Sequence, residues 1–179
     1  MQTQLLRRLS RRAFRSLVVL TILVGVHFVT ALVIVQIVRH NKGLRAKVLK
    51  PYNAVILPIA GRRFSPYALL KHTGRRSGRD YVTPLGAFPF GDGFVLPLAY
   101  GADVDWCRNI MASGQAILKW HGREYVLERP ELFPIDATVQ AYPLLLRPFI
   151  TRGANAEPRQ CLWLHRPDEG SAHAASQQG

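Results

Sequence analysis

Residues 68–100 read ALLKHTGRRSGRDYVTPLGAFPFGDGFVLPLAY, and the punctuation of this stretch decides the fold. Three segments, Ala68–Thr73, Asp80–Phe90 and Phe94–Tyr100, are separated by glycine-bounded breaks at Gly74–Gly78 and at Gly91-Asp92-Gly93. Short apolar segments between glycine turns are the pattern of antiparallel strands, and Gly-Asp-Gly is a strong hairpin signal.

Downstream the rhythm changes. Asp103–Ala112 opens on a capping acid, Asp103, and carries Trp106, Ile110 and Met111 at helix-compatible spacing; Ser113-Gly114 ends it. Ala116–His121 and Glu124–Arg129 predict a second hairpin about Gly122, followed by a helical stretch near Ala137–Leu146 and a last strand at Gln160–His165. Closely spaced strands with one or two interposed helices predict a mainly β (α+β) domain over residues 62–166, a small β-barrel with peripheral helices. A chain of 179 residues fits one such domain. Residues 167–179 are polar and are expected to form a disordered tail.

Upstream, residues 43–61 read as a basic amphipathic connector lying at a membrane surface, where lysine stems snorkel. Before it, residues 17–38 carry no formal charge. At about 1.5 Å per residue that run reaches roughly 33 Å, enough to cross a hydrocarbon core of about 30 Å. A buried helix of a soluble core would have to be apolar all round and clamped by arginines at both ends, so residues 1–42 are expected to form a basic N-terminus and one transmembrane helix. The charge distribution agrees. Ten of the 24 basic residues and none of the 11 acids lie within residues 1–50, so most of the formal charge of +13 belongs to the head. The remainder is close to balanced, which removes most support for a nucleic-acid partner. Sidedness stays open, because five basic residues precede the run and five follow it. Ser10-Arg11-Arg12-Ala13-Phe14 resembles a twin-arginine export signal, with a generic basic flank as the alternative. The expected location is the cell membrane, through a single-pass anchor.

Chemistry concentrates in Gly74-Arg75-Arg76-Ser77-Gly78-Arg79. Glycines let backbone amides approach an anion, and guanidinium forks match phosphate or carboxylate oxygens. A solvated basic turn is the plainer alternative. The segment is neither a Walker loop nor a dinucleotide fingerprint, and no G-x-S-x-G elbow is present. The six histidines show no metal spacing, and His72 and His121 stand singly on strands. Cys107 and Cys161 form no C-x-x-C pair, although one disulfide is possible in an oxidising compartment. An anion clamp without acid–base apparatus suggests that a bound cofactor carries the reaction.

His72-Thr-Gly-Arg-Arg-Ser-Gly-Arg79, Thr83-Pro84-Leu85, Gly91-Asp-Gly-Phe-Val95, Tyr100-Gly101 and Asp105-Trp106-Cys107-Arg108-Asn109-Ile110, followed by Ala112-Ser113-Gly114, together resemble the deazaflavin-dependent nitroreductase and quinone reductase family. The resemblance covers roughly residues 50–165, with the motifs in order. It implies a split, flavin-reductase-like β-barrel binding coenzyme F420, a deazaflavin with a phosphodiester and an oligoglutamate tail. It also implies hydride transfer to a quinone or nitro compound, without a metal. Carried over by position, Arg75, Arg76, Ser77 and Gly78 would hold the phosphate, and Tyr81, Thr83, Pro84 and Leu85 would line the deazaflavin. Tyr100, Gly101 and the helix start at Trp106, Cys107 and Asn109 would complete the pocket, the helix N-terminus serving as an anion site. Core packing is the plainer role for Trp106 and Ile110. Some relatives place a serine where this chain has Ala99 and a cluster of C-terminal tyrosines over the ring, for which only Tyr142 is available here. The membrane helix favours a lipid-soluble acceptor such as a quinone. An FMN-dependent oxidase of the same barrel type, or a non-catalytic module binding F420 or lipid, remains open beside this reading.

Overall fold

The computed structural model describes residues 42–148, 150 and 159–167, and within the head residues 14–16, 18–19, 21–22, 25–26, 29–30 and 33–34. A connector helix, Lys42–Ile56, leads into seven strands: β1 Ala68–Thr73, β2 Asp80–Leu85, β3 Phe88–Phe90, β4 Gly93–Pro97, β5 Gln115–Trp120, β6 Arg123–Pro134 and β7 Gln160–His165. Between β4 and β5 lies a site helix, Asp105–Ser113, and after β6 a 3-10 helix, Ile135–Ala141.

All seven strands form one antiparallel sheet in the order β2-β1-β5-β6-β7-β4-β3. The segment Asp80–Phe90, expected as one strand, is therefore two. β2 pairs with β1 and β3 pairs with β4, so sequence neighbours sit on opposite edges of the sheet. Six steps of about 4.8 Å would put the edges of a flat sheet roughly 29 Å apart. Leu85 and Phe88 are separated by three Cα steps, which span at most about 11 Å. The sheet must roll to bring its edges together. It does so without closing: β2 and β3 share no ladder, and the expected barrel is an open, rolled sheet.

Rolling creates the core. Leu70 of β1, Phe94 and Leu96 of β4, Leu118 of β5, Leu127 of β6, Leu162 and Leu164 of β7, and Cys107 and Ile110 of the site helix form one buried cluster. On the other face Val95, Ile135, Tyr142 and Cys161 form a second cluster under the 3-10 helix, with Phe88, Phe90, Phe133 and Trp163 against it. β4 is thus buried on both faces, and a Cβ on Gly93 would run into the Leu164 carbonyl.

Other boundaries move for local reasons. β6 continues past Arg129 to Pro134, because a bulge between Glu128 and Glu131, with Arg129 at φ 50°, accommodates Pro130. β4 ends at Pro97 rather than Tyr100; Leu98 to Gly101 forms a turn closed by the Gly101 amide on the Leu98 carbonyl (2.9 Å). The site helix starts at Asp105, with Val104 at its N-cap making no side-chain cap, so Asp103 is not the capping acid. Gly114 (φ 75°) ends it as expected. His121 and Gly122, both left-handed, make the tight β5–β6 turn. The helical stretch expected near Ala137–Leu146 is the 3-10 helix, ending before Pro143.

Cys107 and Cys161 are both free and buried in different clusters, so the possible disulfide is not formed. Among the described residues no helix is long and apolar enough to cross a membrane. Most of the expected 17–38 span, the twin-arginine motif apart from Phe14, and the tail from residue 168 lie outside the described residues; those that are described between Phe14 and Ile34 are helical.

Candidate functional site

β1 and β2 are joined by the arginine turn. The Gly74 amide bonds the Arg79 carbonyl (2.8 Å) and the Gly78 amide bonds the Gly74 carbonyl (2.8 Å), closing a tight loop with Arg75, Arg76 and Ser77 outermost. Gly78 adopts φ 63°, which an L side chain would strain. At Gly74 the constraint is space. A Cβ there would meet Ser77 Oγ and the Tyr81 ring, each at 2.6 Å. Tyr81 therefore lies against the turn, its hydroxyl 3.1 Å from Ser77 Oγ.

The two leading arginines do different work. Arg75 is tied to the site helix: its guanidinium donates to Asn109 Oδ1 (2.8 Å), to the Asp105 carbonyl (3.5 Å) and to Asp105 Oδ1 (3.1 Å), and its amide donates to Asn109 Oδ1 (3.2 Å). Arg76 makes no hydrogen bond or ion pair among the described residues.

Asn109, 5% exposed, continues the network inward. Its oxygen is taken by Arg75, so its amide nitrogen donates to His72 Nδ1 (3.2 Å). The His72 proton then sits on Nε2 and is donated to Thr83 Oγ1 (3.2 Å). Burial lowers the His72 pKa, with the Asp105 carboxylate pulling the other way, so the ring is held neutral as this pattern requires. Turn, site helix, β1 and β2 are thereby locked as one frame, and the Tyr81 ring stacks on His72 at 5.9 Å.

This frame borders a cavity of about 1030 Å³. Its walls are the turn from Gly74 to Ser77, the β2 face from Tyr81 to Gly86, the segment Pro97 to Tyr100, and the site helix through Asp105, Trp106, Arg108 and Asn109. Arg75, Arg76, Ser77, Tyr81, Thr83, Pro84, Leu85, Tyr100, Trp106 and Asn109 are thus brought together.

Three expected residues are not on these walls. Gly78 and Gly101 (φ 86°) shape turns. Cys107 is 1% exposed within the core, where burial pushes its thiol up to about 11. It faces the core because it lies on the apolar side of the helix, beside Ile110. Tyr142 is also absent: it is buried under the 3-10 helix and bonded to Thr138 Oγ1 (2.8 Å). The helix start is a poor anion site, since Asp103 and Asp105 both face the cavity there.

Leu49, Tyr52 and Asn53 of the connector helix, with Tyr67 just before β1 and Ile34 of the head, complete the wall. Sequence reasoning assigned that helix to the membrane surface and missed them, because no local motif ties Leu49, Tyr52, Asn53 or Tyr67 to the arginine turn. Tyr52 and Tyr67 hydroxyls lie 3.0 Å apart. Burial, then the bond to Tyr52, raises the Tyr67 pKa far above that of a free phenol, so this hydroxyl stays protonated.

No family model and no curated protein matches the chain. It is similar to several solved structures. A domain-swapped dimer is 15% identical, covering 69% of this chain and 98% of that one, with a TM-score of 0.42. An F420-H2-dependent reductase is 17% identical over 56% of this chain and 94% of that one, at 0.39. An F420 reductase is 18% identical over 62% and 91%, also at 0.39. Likeness at this depth leaves what the cavity binds to be read from the chain's own residues.

Proposed function

We propose that this chain is a membrane-anchored oxidoreductase that holds reduced coenzyme F420 in the cavity and passes its hydride to a lipid-soluble, quinone-like acceptor. One observation carries the reading. A single cavity runs from an uncommitted guanidinium at Arg76 to a wall of Thr83, Pro84 and Leu85 and on to the tyrosines of the connector side. An elongated ligand, anionic at one end and flat and apolar at the other, matches that layout. About 1030 Å³ is at the upper end of ordinary small-ligand pockets, as a deazaflavin with a phosphodiester tail needs.

When bound, the coenzyme supplies the hydride. The chain's residues bind and orient. Arg76 and the Ser77 hydroxyl receive the phosphodiester, with Arg108 a further cation on the same cavity. The Arg75–Asn109–His72–Thr83 frame fixes the β2 wall and the tilt of Tyr81 against the ring. Tyr67, kept protonated and bonded to Tyr52, lines the acceptor end as a neutral hydroxyl rather than a negative charge. The uncharged 17–38 run supports the anchor and with it an acceptor drawn from lipid.

The test is titration of the detergent-solubilised full-length protein with F420 and with FMN, followed by mixing the F420H2 complex with a soluble quinone. F420 should bind much more tightly than FMN, and the quinone should reoxidise F420H2 at a rate proportional to protein. Equal or tighter FMN binding would move the assignment to a flavin oxidase. Tight F420 binding without turnover would identify a carrier. Binding of neither would end the cofactor reading.

A further inference from the structure

Between the connector helix and β1 lies a loop whose backbone is firmly held and whose apex is apolar and fully in water. The Gly61 amide bonds the Tyr67 carbonyl (2.7 Å), the Gly122 amide bonds the Gly61 carbonyl (2.8 Å), and the Ser65 amide bonds the Arg62 carbonyl (3.0 Å). His121 Nδ1 donates to the Arg63 carbonyl (2.7 Å). At the apex so fixed, Phe64 is 89% exposed, with the Arg63 guanidinium 5.5 Å from its ring centre. Ile59 and Phe64 share one shallow groove with Arg62. The same side extends along the connector helix: Lys47, Pro51 and Val55 recur at four-residue spacing, all exposed, and lead to exposed Ile59. Lys50 is exposed beside them.

We propose that this face is a membrane-docking surface for anionic phospholipid, in which Val55, Ile59 and Phe64 enter the headgroup–acyl boundary and Lys47, Lys50, Arg62 and Arg63 meet the phosphates. Charge decides the occupant. No acidic residue precedes Asp80 in the chain, so the loop and the connector helix that make up this face carry only positive formal charge. Arg62 and Arg63 make no ion pair among the described residues. An aromatic, two aliphatics and a cationic rim are the composition that binds at a bilayer interface, with lysine and arginine stems lying along the apolar layer. A self-complementary seat for a second copy would need acids on this loop and helix to meet those cations, and they carry none. Because the connector helix also lines the cavity, docking here sets the cavity beside the bilayer surface. The surface does not depend on what the cavity holds.

The experiment places a fluorophore at the apex of the full-length chain. Phe64→Cys is labelled with a nitrobenzoxadiazole maleimide; the native cysteines are buried. Leu145→Cys, at another exposed apolar position, is the reference. Both are reconstituted in nanodiscs of phosphatidylcholine alone or with phosphatidylglycerol. A label at position 64 should show a blue shift and a severalfold rise in emission with phosphatidylglycerol, absent at position 145, and Arg62→Glu/Arg63→Glu in the same chain should abolish the lipid dependence. Emission at 64 as water-like as at 145 in anionic discs would overturn the proposal. So would a rise that survives the double glutamate variant, or one that appears in detergent as protein concentration increases, which would mark a seat for a second copy. None of these readings involves the cofactor, so failure here and failure of the F420 assignment are separable.

Discussion

Arg75 and Arg76 are neighbours of identical chemistry, and on the proposed reading their alanine variants are expected to fail in different assays. Arg76→Ala removes a side chain with no partner among the described residues, so stability should change by no more than about 0.5 kcal/mol. If it holds the phosphodiester, losing one charge-assisted bond costs about 1.5–3 kcal/mol of binding, a ten- to hundredfold rise in Kd. For Arg75→Ala the order reverses. Its ion pair with Asp105 contributes little, because that carboxylate is 85% exposed and such surface pairs are worth about 0–1 kcal/mol. The guanidinium bond to the buried Asn109 oxygen is different, and losing a bond from a charged donor to a buried acceptor costs about 1.5–3 kcal/mol. The summed loss of about 1.5–4 kcal/mol corresponds to a fall in Tm of roughly 3–16 °C for a chain of this size. Differential scanning fluorimetry and F420 titration on the same solubilised preparations read both quantities. A drop in Tm without a matching affinity loss in Arg75→Ala, and the converse in Arg76→Ala, is the expected crossing. An Arg76→Ala variant that binds F420 as tightly as the parent would refute the assignment of the anion end.

Three further outcomes follow from the same frame. His72 is held neutral, its folded pKa below its unfolded value, so the native state binds fewer protons than the unfolded state in the window between them; stability should be full above the unfolded value of about 6.5 and fall as pH drops below it, and His72→Gln should flatten that slope in pH-dependent urea melts. Gly74→Ala, crowding Ser77 and Tyr81 without any left-handed φ to strain, should cost about 1–3 kcal/mol by overpacking and weaken F420 binding together, seen as a lower urea midpoint and a higher Kd. Cys107 and Cys161 should both resist aqueous maleimide in the folded chain and both react in denaturant; rapid labelling of either under native conditions would contradict their burial.

Features fixed by a few consecutive residues were legible. The Gly74–Gly78 turn, the Gly91–Gly93 hairpin, the His121-Gly122 turn and the Gly114 helix stop all follow from local backbone chemistry, and β1 and β7 fall on the expected residues. Features fixed by distant partners were not. Nothing within Asp80–Phe90 announces that its two halves pair at opposite edges of the sheet; the ladders to β1 and β4 impose it. Pro130 reads as the end of a strand unless the bulge that absorbs it is known. The difference between Arg75 and Arg76 is set by Asn109, more than thirty residues away, and is invisible in a run of like residues.

The site shows the same division, with one turn further. Tyr81, Val82, Thr83, Pro84 and Leu85 read as a strand, and they are one. Sequence does not say which of its faces meets protein. In β1 alternate residues are buried, the signature of one face on a core, whereas β2 is exposed through Val82 and only partly buried beyond it. An apolar edge strand left this open, with Tyr81 and Val82 each nearly half exposed beside a cavity, is unfinished by the usual logic of edges. The rolled sheet brings the turn, the edge strand and the connector helix to one seam, and on the proposed reading the open face of β2 is where the flat ring of the ligand would pack.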